Sequence, residues 1–277
     1  MDFLQQSDHL QKNTPGIDNQ NDHIQHTDGF GFAYFNSLTH RWKSIKSAKY
    51  YKEVKNMDDI VNQISVSDTV IGHIRKQTGE AGVSLLNTHP FTHKNQLFLH
   101  NGSLVGYDNL KYKLRKQIAP QYRKFIRGDT DTEWMFYLFL TIKDYLENSV
   151  PPKQFYTNSK IEKLFGPCKD LSVELLIFTV CRFFQHLYKQ FGQFTANIVY
   201  SNKDYTVITR CSNSPNNVVR APSLYLNGEE KQGKLLISSE PLVDKYKLIP
   251  EQTVIFVCNS TGKYAIRDLY HMCDIHI

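Results

Sequence analysis

Residues 132–146 read TEWMFYLFLTIKDYL and residues 170–191 read DLSVELLIFTVCRFFQHLYKQF, and these two stretches decide the fold class. Apolar side chains recur in both at steps of three and four residues, which places them on one face of a helix. Pro151 and Pro152 end the first helix, and Gly192 ends the second. Strand-like runs lie before and after this pair. Because regular strand–helix alternation is lacking, we predict an α+β fold with mostly antiparallel sheets.

Short apolar runs rich in aromatic and β-branched residues predict the strands. They are residues 29–35, 69–74 and 96–105 before the helices, and 194–200, 205–210, 223–226, 234–237, 253–258 and 264–266 after them. Residues 57–64 predict a short helix with Asn56 as its N-cap. Residues 1–25 form a polar N-terminal segment without hydrophobic periodicity, and residues 26–277 are interpreted as a single domain.

Charge and composition narrow the classes of function. The 33 Lys and Arg exceed the 27 Asp and Glu by six, but they are scattered, and the densest stretch, residues 111–127, fits a solvated helix face. We therefore expect no nucleic-acid partner. No run approaches the roughly 18 apolar residues of a membrane helix, so no membrane partner is expected either. The five cysteines are widely spaced and the N-terminus lacks a signal-peptide core, which favours the cytoplasm.

Four motifs combine residues that are unusual for a purely structural role. They are HTDGFG at 26–31, GHIR at 72–75, HNG at 100–102 and GDTDTE at 128–133. Taken singly, each has an ordinary structural interpretation. Asp28-Gly29 and Asn101-Gly102 are typical of hairpin turns, and Asp131 suits the start of a helix. Taken together, their order and spacing suggest a functional site.

The set resembles the class II glutamine amidotransferases of the N-terminal-nucleophile hydrolase superfamily, and within them the subgroup of the fungal glutathione-degrading amidotransferase subunit. The matching strings are DGFGFAYF at 28–35, VIGHIRKQTGE at 70–80, NTHPF at 87–91, FLHNGSL at 98–104, GDTDTE at 128–133 and LISSEPL at 236–242. The resemblance implies a four-layer αββα sandwich whose first strand is missing or incomplete here. It also implies that the helices at 132–147 and 170–191 share one outer face.

The same resemblance implies the role of each site residue. Arg75 would pair with the substrate α-carboxylate, and Asp131 would hold the α-ammonium group. Asn101 and Gly102 would form the oxyanion hole through the Asn side-chain amide and the Gly backbone N–H. Thr78 would add a polar contact. The family pattern places no chemistry on His73, His89 or His100, for which we expect a supporting role through hydrogen bonds. No cofactor and no metal are implied.

The resemblance implies hydrolysis of a γ-glutamyl amide, either glutamine or the γ-glutamyl bond of glutathione or a related peptide. Family members attack with a Cys at the mature N-terminus, whose own α-amino group is the base. Here Asp2 follows Met1, and the first Cys is Cys168. Three explanations are open: a truncated N-terminus, a protein that kept the pocket but lost the nucleophile, or recruitment of an internal Cys. Lys76 also stands where many family members carry an aromatic residue.

Two further hypotheses belong to other functional classes. The chain could be a non-catalytic subunit that binds γ-glutamyl ligands or a peptidase-like partner, since the fungal relatives work with such a partner. It could also be a metal-dependent hydrolase, because His73, His89, His93 and His100 fall within a short stretch. The i, i+4 pair His89 and His93 would suit zinc on a helix, but Pro90 argues against a helix there.

Overall fold

A computed structural model describes residues 26–36, 38–77, 82–149, 171–214, 219–229, 234–241 and 245–273. The expected N-terminal segment 1–25, Thr78 and Cys168 lie outside the described residues. The described helices are α1 (Met57–Ser65), α2 (Tyr107–Gln117), α3 (Pro120–Arg123), α4 (Asp131–Ser149), α5 (Leu171–Gln190) and α6 (Leu269–Cys273). The described strands are β1 (Phe30–Asn36), β2 (Arg41–Ser47), β3 (Val70–Ile74), β4 (Phe91–His93), β5 (Gln96–Leu104), β6 (Phe194–Ser201), β7 (Tyr205–Arg210), β8 (Ser212–Asn213), β9 (Tyr225–Glu229), β10 (Lys234–Ser238), β11 (Lys247–Leu248), β12 (Thr253–Cys258) and β13 (Tyr264–Asp268).

The first sheet has the strand order β2-β1-β3 and packs a helix on its outer face. Side chains alternate between the two faces of a strand. The side chains of Phe30, Phe32 and Tyr34 on one face of β1 pack against Ile60 and Ile64 of α1. Ala33 has its side chain on the other face of β1, where it is fully buried against Trp42 and Leu97. Because Leu97 belongs to β5, the inner face of this sheet meets a second sheet.

The second sheet runs β13-β12-β7-β6-β5-β4, with β8 paired to β6, and carries the long helices on its outer face. Phe98 of β5 is fully buried and stacks on Phe136 of α4, with ring centroids 5.6 Å apart. It also meets Phe183 of α5 edge-on at 6.3 Å. The two long helices therefore lie on one face, as expected, and the layer order is α1, first sheet, second sheet, α4 with α5. All recorded strand pairings are antiparallel.

A small third sheet, β10-β9-β11, covers the rest of the inner face of the second sheet. Its contacts come from Leu224 and Ile249, which pack on Ile208 of β7 and Ile255 of β12. The apolar runs predicted β9 and β10 but not β11, and they gave no sign that these strands form a separate sheet. The inner face of the second sheet is thus shared: the first sheet lies over β5, and the third lies over β7 and β12.

Several local expectations need correction. The strand predicted at 223–226 begins later, at Tyr225. Asn56 precedes α1, but its side chain makes no capping hydrogen bond. The basic stretch 111–127 contains the end of α2 and the short α3, broken where Pro120 begins the new helix. No helix in the described part of the chain is both long and apolar enough to cross a membrane.

The inner face of β1 approaches the loop before β4 closely at Gly31. A Cβ atom at this position would lie 2.0 Å from the backbone oxygen of His89 and 3.1 Å from Cγ of Lys46. Such a distance is far below van der Waals contact, and its partner is backbone, which cannot rotate away. Glycine inside a strand often marks a place where another backbone approaches closely. At Gly31 the structure has this approach.

Replacement of Gly31 by Ala should destabilise the protein by about 1–3 kcal/mol, because an added methyl group forces the strand and the loop apart. Gly192→Ala is the matched control, since a Cβ there meets no atom within 4 Å. Urea unfolding of the two variants and the unchanged chain measures the difference. Equal midpoints for Gly31→Ala and Gly192→Ala would contradict the close approach.

Candidate functional site

Arg75 directly follows β3, and the segment that leads into β1 holds its backbone. Its N–H donates to the Gly29 carbonyl at 2.8 Å, and its carbonyl accepts from the Asp28 N–H at 3.1 Å. The Asp28 carboxylate accepts the N–H of Gln77 at 2.7 Å. Asp28-Gly29 therefore anchors the Arg75 loop, and its interpretation as a hairpin turn is wrong. Burial lowers the pKa of the Arg75 guanidinium, while the Asp28 charge raises it.

Asn101 and Gly102 lie inside β5, so the hairpin-turn interpretation is wrong here too. Gly102 has φ 153°, in the range that favours glycine. A Cβ there would lie 2.1 Å from the Thr195 carbonyl oxygen and 2.7 Å from Nε2 of His100. Only a residue without a side chain lets β5 and β6 come this close. Asn101 is half-buried and shares the inner face of β5 with Leu97, so its side chain is directed between the sheets.

Asp131 is the first residue of α4, which begins inside the GDTDTE motif. The Thr130 hydroxyl accepts the N–H of Glu133 at 3.3 Å, which caps the helix. The carboxylate of Glu133 reaches back and accepts the N–H of Gly128 at 2.6 Å. Asp131 itself accepts the N–H of Leu104, at the end of β5, at 3.0 Å. The motif therefore both starts the helix and ties Asp131 to the strand that carries Asn101.

His100 joins the strand, its neighbour and the helix. Its Nε2 donates to the Thr195 carbonyl of β6 at 2.9 Å. Its Nδ1 lies 3.2 Å from the Thr132 hydroxyl and 3.8 Å from the Asp131 carboxylate. Burial raises the pKa of Asp131, but the interaction with His100 and the hydrogen bonds from the backbone N–H groups of Leu104 and Thr132 outweigh this effect, so the pKa of Asp131 falls below its usual value. Asp131 is therefore held as a carboxylate, the form that can pair with an ammonium group.

His73 and His89 form a second histidine group beside Arg75. Their ring centroids are 4.3 Å apart, and His73 lies opposite Gly31 in the first sheet. Burial lowers the pKa of His73 to about 3 and that of His89 well below its usual value. The charges of His100 and Arg75 lower both further. Both rings are therefore neutral near pH 7, and Arg75 is the permanent positive charge of this group.

The structure gives a definite place to each expected site residue that it describes. Gly102 and Asp131 both lie beside the His100 ring, whereas the side chain of Asn101, the next residue of β5, is on the inner face of the strand. Arg75 lies within electrostatic range of His73 and His89, and both of these lie within range of His100. Thr78 lies outside the described residues. The supporting hydrogen bonds expected of His100 are present. Those expected of His89 are not, since neither of its ring nitrogens has a hydrogen-bond partner among the described residues. Thr195 and Asn197, across from this strand, were not expected, because only strand register could have revealed them.

The histidines do not assemble as the metal-hydrolase hypothesis requires. His89 precedes a cis-proline and His93 ends β4, so the i, i+4 pair is not on a helix. His93 packs instead among the aromatic rings of Tyr122, Phe125 and Tyr137. Within the described ranges, no group of three or more His, Cys, Asp or Glu side chains could hold a metal ion.

The described cysteines lie away from Asn101. Cys211 and Cys273 are buried in the core beneath the long helices, and Cys181 packs against that core. Burial raises the pKa of the Cys211 thiol to about 12, which makes it a poor nucleophile. Cys258 ends β12 opposite Tyr205, three strands away from β5. In this part of the chain, no thiol lies beside the expected oxyanion hole, so no described Cys is placed to serve as a recruited nucleophile.

Comparison with known proteins bears on the same motifs. Residues 15–173, more than half of the chain, match the class-II glutamine amidotransferase family. The chain belongs to the class II glutamine amidotransferases. It is 32% identical over 133 residues to the probable glutamine amidotransferase DUG3 of Saccharomyces cerevisiae, an alignment that covers 43% of this chain and 34% of DUG3. It is 38% identical over 76 residues to the glutamine amidotransferase-like protein GlxB of Rhizobium meliloti, which covers 26% of this chain and 25% of GlxB.

These alignments span about a third or less of the curated relatives' own lengths. Solved structures extend the likeness in fold over most of the chain. A glutamine aminotransferase class-II domain protein from Silicibacter pomeroyi superposes with a TM-score of 0.58 at 18% identity, covering 87% of this chain and 91% of that one. Glutamine phosphoribosylpyrophosphate amidotransferase from B. subtilis gives 0.51 at 15% identity, over 89% of this chain and 44% of that one. At these identities the likeness shows the fold alone, and that fold is the N-terminal-nucleophile sandwich.

The buried histidines of this amidotransferase predict acid sensitivity. An unfolded histidine has a pKa near 6.5, about 3.5 units above that of folded His73. Between pH 6.5 and 3 the unfolded chain therefore binds a proton that folded His73 does not, so stability falls as the pH falls. His73→Gln should make this dependence shallower by up to about 1.4 kcal/mol per pH unit. Urea unfolding between pH 6.5 and 4 measures it.

The control for this measurement is His271→Gln, at an exposed position. It should leave the dependence of stability on pH as it is in the unchanged chain. A His73→Gln variant whose stability falls with pH as steeply as that of the His271→Gln variant would contradict the assignment of a neutral, buried His73.

Proposed function

We propose that this site binds the glutamyl head of a γ-glutamyl amide and, together with an N-terminal Cys of the family type, hydrolyses it. Arg75 pairs with the α-carboxylate, Asp131 with the α-ammonium group, and Asn101 and Gly102 donate to the oxyanion. Thr78 adds a polar contact. The substrate is glutamine, or glutathione or a related γ-glutamyl peptide in glutathione catabolism, and the protein acts in the cytoplasm.

One observation carries the proposal: Asn101 and Gly102 are kept in a strand interior beside His100, which also lies next to Asp131. Turns and helix caps need no such meeting of residues from β5 and α4. The opposite charges of Arg75 and Asp131 suit the two charged ends of a free glutamyl group. The low pKa of Asp131 keeps it ionised, and the neutral histidines do not compete with Arg75 for a carboxylate.

The chemistry follows the nucleophile pattern of the family. The Cys thiolate attacks the γ-carbonyl carbon, and the resulting oxyanion accepts hydrogen bonds from the Asn101 amide and the Gly102 N–H. The C–N bond then breaks, the Cys α-amino group passes the proton to the leaving amine, and a γ-glutamyl thioester remains. Water attacks the thioester, releases glutamate and restores the thiol.

A second candidate is a subunit that binds γ-glutamyl ligands, or a peptidase-like partner, without turnover. It is favoured by the distance of the described cysteines from Asn101. Binding needs only Arg75 and Asp131, and both are held in place without a nucleophile.

A paired assay separates the two candidates. One protein is the chain as given, and the other, the Cys-led protein, carries a family-like Met-Cys-Arg start and an apolar strand before the DGFG motif. We expect glutamate release from glutamine or glutathione only with the Cys-led protein, because only there do the thiol and the α-amine belong to one N-terminal residue. Equal activity in both would refute the role of the added Cys. Activity in neither, even with a peptidase-like partner present, would favour the subunit without turnover.

Two substitutions in the Cys-led protein should affect different kinetic constants. Arg75→Ala removes a charged pair made in the ground state, so KM should rise roughly 10- to 150-fold, which corresponds to about 1.5–3 kcal/mol. Asn101→Ala removes a donor to charge that exists only in the transition state, so kcat should fall about 100- to 1,000-fold. Steady-state glutamate release measures both.

The control is Lys113→Ala, which removes an exposed positive charge on α2. It should change neither constant. If Arg75→Ala and Asn101→Ala lower kcat and raise KM alike, or if Lys113→Ala raises KM as Arg75→Ala does, the separate roles given to these residues are wrong.

A further inference from the structure

Asn197 of β6 lies directly opposite Asn101 of β5 in the antiparallel pair. Directly opposed residues place their side chains on the same face, with Cβ atoms about 4.5–5.5 Å apart. Asn197 is 5% exposed. Its side chain is enclosed where the segment that leads into β9 of the third sheet packs on the second sheet. The two asparagine amides are cross-strand neighbours between the sheets.

Among the residues that the structure describes, the side-chain amide of Asn197 is hydrogen-bonded through its nitrogen but not through its oxygen. Its Nδ2 donates to the Pro222 carbonyl at 2.9 Å, which fixes the nitrogen end of the amide. Its Oδ1 is buried and accepts no hydrogen bond from the described residues. A buried acceptor without a donor costs about 1–3 kcal/mol, so a donor that uses this oxygen would be favoured.

The polar groups around Asn197 are already engaged. The Thr195 hydroxyl accepts the N–H of Ser103 at 3.1 Å. Arg210 donates from Nε to Pro222 and from its two terminal nitrogens to the carbonyls of Ile249 and Ala221. Asn101 is different, because its side-chain amide makes no recorded hydrogen bond within the described ranges, and Nδ2 carries two N–H groups.

An oxyanion bound here would accept a hydrogen bond from only one of the two side-chain N–H groups of Asn101. The amide can also turn by 180°, and its oxygen would then face the negative charge and repel it. We propose that Asn197 is a positioning residue: when a γ-glutamyl ligand occupies the oxyanion hole, the Asn197 Oδ1 accepts the second N–H of Asn101 and so holds the Asn101 amide with a donor toward the substrate. An acceptor at this place favours the nitrogen over the oxygen of Asn101. The inference rests on the proposed function, since it concerns the same oxyanion hole.

The test uses Asn197→Leu in the Cys-led protein, which keeps the volume and removes the acceptor. We expect kcat to fall about 10- to 100-fold, less than for loss of the Asn101 donor itself, with KM within about threefold. In an Asn101→Ala background the same substitution should lower kcat by less than about twofold, because the amide that it positions is gone. An equal fall in both backgrounds, or no fall with Asn101 present, would overturn the proposal.

Asn213→Leu is the matched control. Asn213 of β8 lies opposite Phe194 of β6, the strand that also carries Asn197. The side-chain amide of Asn213 donates to the carbonyls of Phe191 and Gly192, both at 3.3 Å. Its loss should lower thermal stability without changing kcat. If Asn213→Leu lowers kcat as much as Asn197→Leu does at an equal loss of stability, the effect is structural and the proposal fails.

A second measurement does not need turnover and decides the case if the Cys-led protein is inactive. In the chain as given, the side-chain NH₂ signals of Asn101 are identified in a ¹⁵N spectrum by their loss in Asn101→Ala. With glutamate added to saturation, one of the two protons should exchange more slowly with water in the unchanged chain and in Asn213→Leu, but not in Asn197→Leu. Equal exchange in Asn197→Leu and the unchanged chain would overturn the proposal. Inactivity of the Cys-led protein alone would count against the proposed function only.

Discussion

The site depends on the close approach of β5 and β6 at Gly102. With no side chain at this position, the Thr195 carbonyl comes near enough for the His100 ring to donate to it at 2.9 Å. The ring is then fixed beside the first turn of α4, where Asp131 and Thr132 lie. A methyl group at Gly102 would push the strands apart and move this ring. The backbone N–H expected to face the oxyanion and the carboxylate expected to face the ammonium group are therefore set by one contact between two strands.

Sequence periodicity was sufficient to predict the long helices but not to predict how the elements pack. The helices at 131–149 and 171–190 were predicted, with bounds 132–147 and 170–191, because each has a continuous apolar face. The turn interpretation of Asn101-Gly102 was wrong because a dipeptide preference reflects only neighbouring residues. It contains no information about the pairing of β5 with β6, which is distant in the chain. Arg75, Asn101, Gly102 and Asp131 could be named because the motifs resemble a family. Asn197 could not, because its position opposite Asn101 depends on register between strands about 95 residues apart in the chain.

The electrostatics of the site follow from burial rather than from the number of charged groups. Several histidines lie near Arg75, and if all were protonated, their mutual repulsion and lost hydration would be costly. Burial keeps His73 and His89 neutral at pH 7, so these two rings add no positive charge beside the Arg75 guanidinium. Hydrogen bonds keep Asp131 ionised despite burial. Arg75 and Asp131 therefore carry opposite charges, which suits a ligand with an α-carboxylate and an α-ammonium group.

The groups assigned to the ligand come from different layers of the sandwich. Arg75 follows a strand of the first sheet, Asn101 and Gly102 belong to the second sheet, and Asp131 begins a helix of the outer layer. No single element contains the site, so it exists only when the layers are packed. The first sheet also packs closely at Gly31, which leaves no room for even a methyl group against the His89 backbone. A ligand held by all three layers would bind the packed state and not the separated elements, so it would stabilise the packed state by RT ln(1 + [L]/Kd), an amount that grows with the ligand concentration.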